Sequence, residues 1–262
     1  MQVEGGAFGM LIVDDNTNLD KVPAYLADEK LLQISKVSDK VQGNLHTNEI
    51  IHMTGNKWYR LRISMVDPAA LPAKISFGEE CEVRKVANDG VWLSTVPAEP
   101  NNDIWLTGAS RADVAIKCQD ESTITHTTLS SDSKTMFATI KVKGFDSDTP
   151  DPTPWKPRRP NSLMLDGKVA GNYTVTMTYP TITNSPYDIN KPITSIASNR
   201  TQEWTLIDTA YHPLHLHLYH VQVVTPGGCG NHDVGQFYDT ISWSDPCKVR
   251  SSARDSSSIV IF

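Results

Sequence analysis

At 262 residues, 39% hydrophobic and 21% charged, the chain has the composition of a soluble globular protein of about two domains, not of a disordered one. A net charge of −6, with no basic stripe, argues against nucleic acid as a partner. No run of about 18 apolar residues is present, so no helix is expected to cross a membrane.

Residues 1–14 read as a lone strand interrupted by Gly5, Gly6 and Gly9, with Met10-Leu11-Ile12-Val13 its apolar end. A polar linker over residues 15–29 follows, and Pro23 to Glu29 suggests a short helical turn. From about residue 30 to residue 145 the pattern is that of a β domain. Strand-like runs fall at residues 31–37, 58–66, 81–86, 112–118 and 136–142, several alternating apolar with polar as half-buried strands do. Asn88-Asp89-Gly90 is a turn signal between two of them. Many short strands separated by turns indicate a sandwich or barrel. Residues 146–160, rich in Pro and Asp, read as an extended linker, and the basic Lys156-Pro157-Arg158-Arg159-Pro160 belongs to it. A third region covers residues 161–262, with strands expected at 173–179, 202–207 and 216–224.

The third region holds the most informative stretch, Tyr211-His212-Pro213-Leu214-His215-Leu216-His217. Neutral imidazole is a common ligand for copper and zinc. Side chains two apart in a strand share a face, so His215 and His217 can aim at one metal centre. His212 has the other parity and precedes Pro213, which redirects the local path, so it is expected to face a different centre. A zinc-only site is the chemical competitor, and it needs a further ligand or water.

The H-P-x-H-x-H pattern of His212, Pro213, His215 and His217, followed by Val221-Gln222-Val223-Val224, resembles the last domain of the multicopper oxidases, laccase-like and ferroxidase-like enzymes. The resemblance implies an all-β chain of tandem cupredoxin-like domains, Greek-key β-sandwiches or barrels, the last one incomplete. Residues 1–14 look like the terminal strand of a truncated first domain. Residues 30–145 look like the family's middle domain without copper, on the landmarks Trp58-Tyr59-Arg60-Leu61-Arg62, Ala87-Asn88-Asp89-Gly90 and Leu106 to Asp113. Residues 161–262 look like a truncated copper-binding domain. By resemblance His212 binds a type 1 copper, His215 a type 2 copper and His217 a type 3 copper. The implied activity is oxidation of a phenolic, amine or metal-ion reductant with reduction of dioxygen to water.

The sequence departs from the family in two places. The N-terminal H-W-H and H-x-H motifs are missing, and Asp239-Thr240 and Cys247-Lys248-Val249-Arg250 resemble strands leading to a final H-C-H motif that is missing as well. His220 is extra to the pattern and reads as a strand residue, and His46, His52, His126 and His232 match no copper motif. The expectation is a fragment inactive alone, completed by another chain or prone to self-association through an unpaired sheet edge and an exposed core face. The alternative is a non-catalytic copper-binding or structural cupredoxin protein.

Cys229 and Cys247 flank a Gly-rich aromatic loop, where a disulfide and two free thiols are equally compatible with the sequence. Cys81 and Cys118 fall in strand-like runs and read as ordinary buried thiols. Arg60, Arg62, Arg111 and Asp113 read as a solvated strand face more readily than as ties between domains. Asn172-Tyr173-Thr174 and Asn199-Arg200-Thr201 fit the N-glycosylation pattern, and with the family's secreted habit they lean towards an extracellular or secretory-lumen location.

Overall fold

The computed structural model describes residues 3, 5–13, 22–69, 71–129, 133–147, 150–165, 169–178, 181–186, 188, 190, 200–217 and 219–252. The expected linker residues 14–21, Asp148, Thr149, Asn199, Leu218 and the last apolar run 259–262 lie outside them. Two compact units divide after Arg159, at the end of the Pro-rich stretch. The described residues are strands and connections, apart from short 3-10 turns at Ala24–Leu26 and Leu163–Leu165.

Unit 1 contains, in chain order, β1 (Glu29–Val37), β2 (Lys40–Gly43), β3 (Glu49–Gly55), β4 (Tyr59–Val66), β5 (Ala73–Phe77), β6 (Cys81–Asn88), β7 (Val91–Trp92), β8 (Asp103–Leu106), β9 (Arg111–Cys118), β10 (Ser122–Thr128) and β11 (Thr135–Phe145). They form two sheets, ordered β2-β1-β4-β9-β6-β7 and β3-β11-β10-β5-β8. Alternation puts Leu32 and Ile34, Leu61 and Ile63, and Val114 and Ile116 on the inner face of the first sheet, where they meet Ile51, Ile75, Ile124, Phe137 and Ile140 of the second. The β6–β7 turn is made by Asp89 and Gly90, both at positive φ (47° and 82°), the left-handed pair that a tight two-residue hairpin requires.

Four expectations for this unit need correction. Residues 7–13 form no strand, and Leu11 and Val13 are 88% and 72% exposed; a strand needs a neighbour for its backbone groups, and among the described residues none lies beside it. β2, β3, β5, β7, β8 and β10 lie outside the expected runs: β2, β5, β7 and β8 are short and β10 is Thr-rich, whereas β3 and β5 do carry an apolar alternation that marks them as strands. Cys81 and Cys118 are not thiols. They are register partners in β6 and β9 and are joined by a disulfide, with Cα atoms 4.0 Å apart. Arg60 and Asp113 are not a solvated face. Both are buried on the outer side of the first sheet, where Leu26, Trp58, Val96, Trp92 and Trp155 form a second apolar cluster. Arg60 Nε donates to Asp113 Oδ2 at 2.9 Å, and its guanidinium lies 4.5 Å from the Trp92 ring centroid. Glu29 reaches both Arg60 and Arg62 at 3.4 and 3.3 Å.

Unit 2 contains β12 (Gly171–Thr178), β13 (Thr181–Ile182), β14 (Thr201–Ile207), β15 (Leu214–His215), β16 (Val221–Val223), β17 (Phe237–Tyr238), β18 (Thr240–Ile241) and β19 (Cys247–Ser252). A six-stranded sheet, ordered β13-β12-β14-β19-β16-β17, faces the small β15–β18 pair. The core between them joins Val175, Trp204, Leu206, Val223 and Val249 to Leu214, Leu216 and Ile241. The expected single strand over 216–224 is broken. Leu216 donates its backbone N–H to Asp239 O (2.8 Å) beside β18, whereas Val221 and Gln222 pair with β17 and Gln222 and Val223 with β19, so the chain changes sheets in between. His220 therefore precedes β16 and is not a strand residue. The second disulfide, Cys229–Cys247, ties the 229–238 loop to the first residue of β19. Asn172 is exposed on β12.

Candidate metal-binding histidines

The histidine segment is placed by its neighbours. Before it, Thr209 N and Oγ1 donate to Trp243 O (both 3.0 Å), and Ser242 Oγ donates to Ala210 O (3.2 Å), which fasten residues 209–210 to the chain following β18. Within it, Leu214 and Leu216 are 7% and 8% exposed and insert into the unit 2 core. Strand alternation then turns His215 and His217 outward, and both are exposed. Their rings lie 4.9 Å apart, centroid to centroid, inclined at 72°. Burial of the two leucines thus presents two imidazoles side by side.

β18 lies across from β15 with His215 opposite Thr240 and Leu214 opposite Ile241. The Thr240 hydroxyl is 2.9 Å from His215 Nδ1, and it donates to Asp239 Oδ1, also at 2.9 Å. Asp239 Oδ1 is itself 3.5 Å from His215 Nδ1. Thr240 and Asp239 were not among the residues expected at the site. Their relation to His215 depends on strand register across 25 residues, for which the sequence carries no local signal.

His212 is exposed at the bend before Pro213, and among the described residues no three His, Cys, Asp or Glu side chains converge into one metal-holding group. His215 and His217 are brought together, and His212 is not gathered with them into such a group. The remaining histidines are placed elsewhere. His46 and His52 are exposed in unit 1, His126 is buried in β10, and His232 packs on Tyr238 at 4.7 Å with Nδ1 3.0 Å from Cys229 O. All four cysteines are in disulfides, so this chain offers imidazoles but no thiolate to a metal. Paired imidazoles suit copper or zinc. A blue copper site also needs a thiolate, and the donor set present does not fit one.

Residues 154–253 match the family model described as multicopper oxidase. The fold is similar to that of three solved structures. The laccase-like multicopper oxidase CueO from Ochrobactrum sp., reported with oxidase activity towards lignin model compounds and lignosulfonate, aligns at TM-score 0.72 and 12% identity over 89% of this chain and 62% of that one. A multicopper oxidase from Pseudomonas thermotolerans aligns at 0.69 and 18% over 89% and 63%. A Campylobacter jejuni multicopper oxidase, described as a metallo-oxidase, aligns at 0.64 and 14% over 88% and 59%. At these identities the likeness carries the fold, that of tandem cupredoxin-like domains. The chain spans less than two thirds of each of these relatives. No curated protein matches the sequence significantly.

Proposed function

From a chain whose residues 154–253 carry a multicopper oxidase domain, we propose that it forms part of a copper-dependent oxidase in which His215 and His217 hold copper of the dioxygen-reducing cluster. The reading rests on one observation: two exposed imidazoles lie 4.9 Å apart on an outward-facing strand edge, within the matched domain. In this reading His215 would serve a type 2 copper and His217 a type 3 copper; His212, on the far side of Pro213, would contribute one imidazole to a type 1 copper whose thiolate another chain must supply, because both cysteine pairs here are disulfides. Copper, when bound, supplies one-electron redox chemistry and the reduction of dioxygen to water. The protein supplies orientation: Leu214 and Leu216 lock the strand, and Thr240 holds the His215 ring. Residues 30–145 act as a copper-free middle domain and residues 161–262 as the copper-binding domain. The reductant is a phenol, an aromatic amine or a metal ion; of the similar structures, one is described with activity towards lignin model compounds and lignosulfonate and another as a metallo-oxidase. The two disulfides support an extracellular or secretory-lumen location, because such bonds persist in oxidising compartments.

The test is titration of the purified chain with Cu(II), followed by calorimetry and electron paramagnetic resonance, beside His215→Ala, His217→Ala and the control His46→Ala. Loss of affinity by about tenfold or more in the first two, and not in the control, supports the reading. Equal affinity in all four sinks it.

A second reading has one observation in its favour. With all four cysteines paired, this chain binds copper without turnover, as a non-catalytic copper-binding or structural cupredoxin protein. Dioxygen consumption by the copper-loaded chain alone would exclude it.

A further inference from the structure

We propose that Thr240 and Asp239 are positioning residues that keep the proton of neutral His215 on Nδ1, so that its lone pair sits on Nε2. This rests on the reading of His215 as a copper ligand for its purpose, but not for its geometry. A neutral imidazole has one N–H and one lone pair, and which nitrogen carries which is decided by the partners of the ring. A threonine hydroxyl has one proton. At Thr240 that proton is given to Asp239 Oδ1, 2.9 Å away. Towards His215, 2.9 Å away on its other side, the same oxygen is therefore an acceptor, and Nδ1 must be the donor. The alternative arrangement, with Thr240 donating to a bare Nδ1, would leave the Asp239 carboxylate without that proton and turn a ring lone pair towards Oδ1 at 3.5 Å, two acceptors facing each other.

Burial makes this arrangement firm. Thr240 is 1% exposed and Asp239 is also buried, so water competes poorly for either group. The backbone holds the three residues in line. His215 and Thr240 are register partners, and Asp239 O accepts the N–H of Leu216, so both ends of the chain of bonds are fixed by strand pairing. The hydroxyl thus orients the ring and sets its tautomer at once, as outer partners of metal-binding histidines do. Among the described residues no comparable side-chain hydrogen bond holds the His217 ring, so His215 is the ligand whose direction is set in advance of any metal.

The first measurement uses the full chain without metal, labelled with ¹⁵N-histidine, with His215 assigned from His215→Gln. Long-range proton–nitrogen spectra report which ring nitrogen is protonated. The wild-type ring is expected as the Nδ1–H form. Thr240→Val is expected to move it towards a mixture or the Nε2–H form, and Thr240→Ser to restore the wild-type pattern. The second measurement is Cu(II) affinity of the same proteins. Thr240→Val is expected to lose about 10- to 100-fold, with recovery in Thr240→Ser. A wild-type ring in the Nε2–H form overturns the proposal without any variant needing to fold. So does a Thr240→Val protein with unchanged tautomer and unchanged affinity. The expected tautomers in a protein that binds no Cu(II) support the proton placement while removing the copper reading, so the two fail separately.

Discussion

Cys81 and Cys118 face each other across β6 and β9, and their disulfide closes a 37-residue separation within the first sheet of unit 1. By the chain-entropy argument such a closure stabilises the folded state by about 4 kcal/mol. The Cys81→Ala/Cys118→Ala protein is expected to unfold at markedly lower urea concentration than wild type. An unchanged midpoint would mean that the crosslink does not restrict the unfolded chain.

His126 is 2% exposed and extends from β10 on the inner face that also carries Ile124. Burial pushes its imidazole down to about 4, and the Lys36 ammonium pushes in the same direction. The folded state therefore resists a proton that the unfolded chain accepts near pH 6.5. Stability contributed by the neutral ring is full above about pH 6.5 and is lost as pH falls towards 4, by about 3 kcal/mol in all. Buried Asp67, whose carboxyl burial pushes up, titrates with the opposite sign and offsets part of the loss. Replacing His126 with Leu should flatten the dependence of unfolding free energy on pH across that window. A slope equal to wild type would show that another group is responsible.

Asp113 is the buried partner of Arg60. Removing Asp113 leaves the buried Arg60 guanidinium with only the more exposed Glu29 carboxylate, 3.4 Å away, so Asp113→Ala is expected to cost about 3 kcal/mol, the low end for breaking a buried pair. The double variant Arg60→Met/Asp113→Leu should cost clearly less, because neither charge remains. Chemical denaturation of the three proteins reads the difference, and equal losses in both variants would show that packing and not charge dominates.

With every cysteine in a disulfide, Cu(II) added to this chain is expected to bind without the intense blue absorption of a thiolate–copper bond. Visible absorption during the titration checks this. A strong blue band would require one of the two disulfides to open.

Much of the site is visible in the sequence because its determinants are local. The His-Leu-His-Leu alternation places Leu214 and Leu216 inward and His215 and His217 outward in any strand that packs one face, and it did so here. The strands at 31–37, 58–66, 81–86 and 112–118 are likewise legible from apolar alternation, and the Asp89-Gly90 hairpin from its left-handed turn residues.

What the local pattern cannot carry is pairing between distant segments. The sequence by itself determined an all-β chain with an outward-facing histidine pair, since side-chain parity is a property of a single strand. Only the tertiary structure decided that Cys81 meets Cys118, that Arg60 and Asp113 are buried beneath tryptophans, and that Thr240 stands against His215. Each of these is a matter of register or of which layer covers a face. Register is set by the summed burial of whole sheets, a quantity that no short stretch of residues contains.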